Sequence, residues 1–321
     1  LFHWDLPLAL QNSYGGVADP QFITDFETYS KLLIDTYGDR VKYWLTFNEP
    51  ASFCKAGYLT GQWPPALTNG YEGQYNCGHN IILAHLKFSD YLHNKYPNSK
   101  VGFALNTNWW LPYNDTDGDK EAVELALEST LAWFVDPFFK FYDYPKSLRD
   151  SSVGQYLPTF TDAEKESLKT GCDFIGYNYY TSEYAIKDDN EPLGFTTSVQ
   201  DPNGVDIGPK AGTDWLYVYP SGLRSIANWL FNRYDKDVPI WITENGTSGP
   251  GEASQTKDEI KNDTFRQDYF TNHLAQLDLI INEDKIPIQV YLAWSLLDNF
   301  EWRSGYFERF GVIGIDYTNG T

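Results

Sequence analysis

No stretch of the 321 residues reaches the ~18 consecutive apolar residues that a membrane span requires. Positive charge is scarce as well: 24 Lys and Arg stand against 44 Asp and Glu, for a net charge of −20. Phosphate backbones and acidic lipids need Lys/Arg patches. No basic stripe is present, which argues against a nucleic-acid partner and against an anionic membrane. No HExxH or comparable pair marks a metal site. His79 and His85 lie six apart, which does not put both on one helix face, so they read as structural. No G-x-S-x-G elbow presents a nucleophilic serine. No Gly-rich phosphate fingerprint follows a strand, and no lysine stands at a strand end to form a Schiff base. No metal and no cofactor is implied.

Cysteines number three: Cys54, Cys77 and Cys172. Cys54 and Cys77 flank one Gly/Pro-rich loop, which admits a loop-closing disulfide; three buried thiols is the alternative. N-x-T triplets begin at Asn114, Asn245, Asn262 and Asn319. Asn245 sits inside the motif ITENG and is not expected to carry a glycan. The others, with a disulfide, point to a secreted or extracellular protein. No signal peptide stands at Leu1. The chain opens inside an apolar run on a residue other than Met and stops after a strand-like segment. It is therefore expected to be part of a longer protein.

What is abundant is apolar and aromatic: 42% hydrophobic residues and 17% aromatic, with 11 Trp and 24 Tyr. Flat rings stack on the C–H faces of sugars, so a carbohydrate ligand is one reading; an aromatic-rich core is the other. Strand-like and helix-like patterns alternate. Gln21–Tyr37 is apolar at Phe22, Ile23, Phe26, Tyr29, Leu32 and Leu33, which is helical spacing. Helices are also predicted over Asn80–Tyr96, Asp119–Phe134, Asp162–Lys169 (capped by Thr161), Ser221–Tyr234 and Asp258–Asn282. Leu1–His3 reads as a strand end. Further strands are predicted over Val41–Phe47, Val101–Asn106, Asp173–Tyr179, Val238–Thr243 and Ile288–Trp294. A hairpin-like segment runs from Tyr306 to Tyr317.

Near-continuous apolar strands alternating with helices mean a parallel sheet covered by helices. An open doubly wound sheet and a closed barrel both fit. The strand ends are more telling, because polar residues gather there: His3, Asn48-Glu49, Asn106 and Asn108, Asn178-Tyr179-Tyr180, Glu244-Asn245 and Trp294-Ser295. In a parallel barrel all of those ends point to one face. Two glutamates nearly two hundred residues apart would then meet. Two facing carboxylates suit glycosidic bond cleavage, one protonating the leaving oxygen and the other attacking or activating water. Two structural carboxylates paired with Arg or Lys is the bland alternative.

The motifs FHWDLP (2–7), TFNEP (46–50), DFIGYNYYTS (173–182), WLYVYPSGLR (215–224), ITENG (242–246) and AWSLLDNFEW (293–302), followed by RFG (309–311), occur in the order of one family. Across essentially its whole length the sequence resembles the family-1 glycoside hydrolases, the β-glucosidase family. The resemblance implies a (β/α)8 TIM barrel, with residues 1–321 as one catalytic domain holding about strands 3 to 8. It implies retaining hydrolysis of a small-molecule β-glycoside or oligosaccharide: glucosides, and galactosides or fucosides besides. Glu49 matches the acid/base, Glu244 the nucleophile, and Tyr180 the tyrosine that supports it. His3, Asn48, Trp294, Glu301, Trp302 and Phe310 match the positions that hold the sugar. Asn178 and Trp215 match positions at the leaving-group side, while Trp4 and Tyr179 are site or core.

Phosphoglycosidase members replace the sugar-binding glutamate and place a lysine and a tyrosine shortly after it. Here Glu308 and Phe310 follow Glu301, and two carboxylates would repel a 6-phosphate. Thioglucosidases that carry glutamine at the acid/base position differ from this chain at Glu49. A thioglucosidase that keeps the glutamate, or an inactive sugar-binding barrel, are the alternatives. Family members begin with two further strands, bearing a sugar-binding glutamine and an arginine beside the nucleophile, and end in a further helix. An open barrel exposes edges and apolar surface, so residues 1–321 alone are expected to fold poorly and to be inactive.

Overall fold

The computed structural model describes residues 1–317. Among them eight strands form: β1 (Tyr43–Asn48), β2 (Lys100–Asn106), β3 (Trp109–Pro112), β4 (Phe174–Asn178), β5 (Ser182–Lys187), β6 (Phe195–Ser198), β7 (Ile240–Asn245) and β8 (Ile288–Ala293). Five of these make one parallel sheet in the order β1-β2-β4-β7-β8. A doubly wound sheet reverses its order at a switch point. This one follows the chain without reversal, as the staves of a (β/α)8 barrel do. Phe2 extends the arc on the β1 side: its N–H donates to Thr46 O at 2.8 Å, and Asn48 N–H donates to Phe2 O at 2.9 Å. At the other end no described strand pairs with the outer edge of β8, where Leu292 is 44% exposed and Leu296, just beyond, 67%.

Helices cover the outside of the arc. Gln21–Tyr37 has the predicted bounds and turns Phe22, Phe26 and Ile34 inward, while Tyr29 and Leu32 stand exposed. Phe26, Phe47 and Phe103 stack from this helix through β1 to β2, with ring centroids 4.5 Å and 6.3 Å apart. Much of the aromatic content is therefore core. Thr161 caps Asp162–Leu168 with a full capping box.

Four local expectations need correction. The helix expected over Asp119–Phe134 runs Asp117–Leu127, loosens into a π turn at Glu128–Ala132, and resumes as Trp133–Phe139 around Pro137. The helix expected over Asp258–Asn282 is two, Lys257–Lys261 and Thr264–Asn282. Asp263 caps the second by accepting from Arg266 N–H at 2.9 Å. Tyr306–Tyr317 contains no strand; Ile313 makes an isolated parallel bridge to Leu297. The helix expected from Asn80 starts at Gly70.

The segment around 186–195, which carries no readable motif, is the turn of a hairpin between β5 and β6. With β3 alongside β5 these strands form a second, three-stranded sheet. Buried Asp119 fastens it to the helix Asp117–Leu127, accepting from Asn114 N–H and Lys187 N–H, each at 2.9 Å.

Candidate active site

The C-terminal ends of the main-sheet strands border a cavity of about 480 Å³. Glu49 and Glu244 line it together with Tyr180, His3, Asn48, Asn178, Trp215, Trp294, Glu301, Trp302 and Phe310. Topology thus brings these eleven candidate residues to one place.

The two glutamates arrive differently. At the end of β1 the backbone enters the left-handed region at Glu49, with φ of 44°. Its N–H donates to Ala104 O at 2.7 Å. That turn starts the helix Pro50–Cys54, which Asn106 steadies by accepting from Ser52 N–H at 3.2 Å. Cys54 is disulfide-bonded to Cys77 on the helix Gly70–Lys95. Glu244 instead stays within β7 and is only 8% exposed.

One amide joins them. Asn178 Nδ2 donates to Glu49 Oε1 at 3.0 Å and to Asn48 Oδ1 at 3.1 Å, and also lies against the Glu244 carboxyl. The Tyr180 hydroxyl donates to Glu244 Oε2 at 2.6 Å. Asn48 Nδ2 donates to His3 Nε2 at 2.9 Å. An amide nitrogen can only donate, so the His3 proton sits on Nδ1. Burial lowers the His3 pKa, keeping the ring neutral.

Burial raises the pKa of both Glu49 and Glu244. At Glu244 the Glu49 charge adds to burial, while the Tyr180 hydroxyl and Asn178 amide oppose it. Two buried carboxyls so placed do not both ionise readily. Burial, with Glu49 and Glu308 nearby, pushes Glu301 up to about 7.

Asn245 turns away from the cavity. Its Nδ2 donates to Tyr179 O at 2.8 Å and to the Tyr269 hydroxyl at 2.9 Å, and its Oδ1 accepts from the Tyr291 hydroxyl at 2.8 Å. It is wholly buried, which excludes a glycan on the folded chain. Asn114 and Asn262 are exposed; the Asn319 triplet lies outside the described residues.

Aromatic rings shape the rim. Trp4 stacks between Trp63 at 4.8 Å and Trp302 at 4.5 Å, and donates its indole N–H to Asn48 O at 2.9 Å. His3 lies 5.6 Å from Trp294 and 5.7 Å from Trp302. Tyr180 meets Trp215 and Phe310 edge-on. Trp215 is 49% exposed at the mouth, whereas Phe310 is buried. Trp4 therefore belongs to the site. Tyr179 belongs to the core: it is fully buried and bonded to Ser182 and Tyr219 O.

His85 bridges Thr46 and Gly171 O, each at 2.7 Å, and His79 bonds the Tyr144 hydroxyl at 2.8 Å; both are structural. Among the described residues no group of three His, Cys, Asp or Glu could hold a metal. Sequence reasoning missed Trp63, Thr243, Tyr269, Tyr291 and Arg303. Thr243 stands inside a quoted motif; Trp63 had no signal beyond its Gly/Pro-rich loop.

The profile of glycosyl hydrolase family 1 matches residues 1–321. β-Glucosidase 16 of Arabidopsis thaliana is 40% identical, covering 100% of this chain and 65% of its own length. A rice β-glucosidase mutant, solved in a covalent complex with glucose, is 35% identical at a TM-score of 0.95, over 99% of this chain and 71% of that one. An aphid myrosinase is 32% identical at a TM-score of 0.85, over 99% of this chain and 70% of that one. The chain spans about two thirds of the length of the curated relatives it matches.

Proposed function

The chain belongs to glycosyl hydrolase family 1, and on that premise we propose that the complete protein is a retaining β-glycosidase acting on β-glucosides. The observation that carries the proposal is the meeting of Glu49 and Glu244 at the Asn178 amide inside one cavity. In the reaction Glu244 attacks the anomeric carbon while Glu49 gives its proton to the departing oxygen. Glu49, now a carboxylate, then takes a proton from water, which releases the sugar from Glu244.

The donors fit this division of labour. The Tyr180 hydroxyl supports a charged Glu244. Mutual repulsion of two buried carboxyls favours one neutral acid beside one carboxylate, the pairing that this reaction needs. His3, Asn48 and Glu301 supply polar contacts for ring hydroxyls, with Trp294 as the stacking surface and Trp302 and Phe310 closing the sugar's side. Asn178 stands at the junction, and Trp215, half exposed at the mouth, flanks the leaving group. The rice relative's covalent complex with glucose supports a glycosyl-enzyme intermediate.

The aphid myrosinase stands behind the rice β-glucosidase in both identity and TM-score. Glu49 is moreover the proton source that an O-linked leaving group needs, so O-glycosides are the favoured substrates. The test is the complete protein on an aryl β-glucoside, with the product followed by NMR as it forms. The β-anomer is expected first; the α-anomer first, or no cleavage, overturns the reading. A secretory route is supported by the Cys54–Cys77 bond and the exposed Asn114 and Asn262 triplets. It predicts a loss of mass on N-glycosidase treatment of the natively expressed protein, and an unchanged mass would contradict it.

A further inference from the structure

β4 and β7 pair Tyr177 with Ile242 and Asn178 with Glu244, which leaves Thr243 as an extra residue on β7. Two residues opposite one make a bulge, and bulges re-aim side chains. In an even strand Thr243 and Glu244 would face opposite sides of the sheet; here both border the barrel interior. Thr243 is 4% exposed. Gly176 makes room for it, since a Cβ there would stand 2.8 Å from Thr243 Cγ2. The packed methyl leaves the hydroxyl one direction, and it donates to Asn178 Oδ1 at 2.6 Å.

An ionised Glu49 carboxylate only accepts, so the Asn178 amide turns Nδ2 towards it and leaves Oδ1 for the Thr243 hydroxyl, which then donates. With Oδ1 taken by Thr243, Nδ2 points to Asn48 and Glu49. Asn48 in turn donates to His3, so one directional chain runs Thr243, Asn178, Asn48, His3. A flipped Asn178 would turn an oxygen towards the Glu49 carboxylate and disfavour its charge. We propose that Thr243 is a positioning residue for the acid/base glutamate, its hydroxyl holding the Asn178 amide so that Glu49 readily gives up and regains its proton. The inference rests on the glycosidase reading above. Glu49 is faced by Glu244 from β7, by Glu301 beyond β8 and by Tyr180 beyond β4, with His3 and Arg303 also lining the cavity.

The test is the pH profile of kcat/KM on an aryl β-glucoside, for the complete protein and for Thr243→Val and Thr243→Ser. Thr243→Val keeps the shape and removes the donor. Its alkaline limb, which reports the acid, is expected to move up by about one pH unit, the scale of a hydrogen bond to a charged group. Thr243→Ser keeps the hydroxyl and is expected to retain the wild-type limb. A Thr243→Val profile that coincides with wild type overturns the assignment, and so does a Thr243→Ser limb displaced as far as that of Thr243→Val. If Thr243→Val does not fold, Thr243→Ala makes the same removal and must move the same limb, or the assignment is overturned. A wild type that cleaves nothing overturns this and the glycosidase reading together. Normal cleavage with unmoved variant limbs overturns only the role of Thr243.

Discussion

At the end of β1 the chain bends into a left-handed turn at Glu49, and the Asn before it faces the cavity. At the end of β7 Glu244 remains in the strand, and the Asn after it faces the core. The β1 end is furnished from the front: Asn48, Asn178 and His3 are bonded to one another on the substrate side. The β7 end is braced from behind, where Tyr179, Tyr269 and Tyr291 hold Asn245 from three elements. On the proposed mechanism, a group that must bond to and leave one carbon gains from a fixed backbone. A group that exchanges protons gains from polar neighbours that can stabilise either of its states.

The largest effect that could break this comparison comes from removing the two glutamates in turn. Glu244→Ala is expected to lower kcat on the order of 10⁶-fold, as loss of a covalent nucleophile does elsewhere. Glu49→Ala is expected to cost about 10²–10⁴-fold, and far less on a dinitrophenyl glucoside, whose leaving group needs no proton. Equal losses across leaving groups would contradict the acid role.

A smaller effect sharpens the contrast between front and back. Tyr180→Phe removes the 2.6 Å bond to Glu244 and is expected to lower kcat/KM about tenfold to a hundredfold. Tyr291→Phe removes a brace on Asn245 and is expected to cost stability, about 1–3 kcal/mol by urea unfolding, with a much smaller kinetic effect. The reverse pattern would show the bracing to be catalytic.

The smallest effect is on pH-dependent stability. Glu301 has its pKa raised from 4.5 to about 7. Between those values the folded chain holds more protons than the unfolded one, so stability falls as pH rises. Neutral buried His79, His85 and His273, lowered to about 4, 3 and 4, act in the opposite sense on the acid side. The check is therefore a difference. Glu301→Gln should gain stability over wild type at pH 7.5 relative to pH 5; an unchanged gap would show the Glu301 carboxyl to be solvated.

The sequence made the main-sheet strands and the polar residues at their ends legible, because buried parallel strands are continuous apolar runs that stop at the active face. The second sheet was not, since β3 and β6 have only four residues each and all three of its strands are partly exposed. The role of Thr243 was hidden for a different reason. Period-two reasoning sends it away from Glu244, and only the bulge in β7, which arises from pairing with β4, brings it back. The break at Asp263 could have been read, because a capping residue stands there; the helical pattern on both sides concealed it. The orientations of Asn48 and Asn245 follow from cross-strand bonding that neither motif encodes.

Barrel loops are often thought of as interchangeable parts, each free to lengthen or shorten without regard to the rest. The indole stack of Trp63, Trp4 and Trp302 denies that freedom here, since it clasps three loops from distant parts of the chain into one rim. A graft that resizes one of them would disturb the ring contacts of the other two.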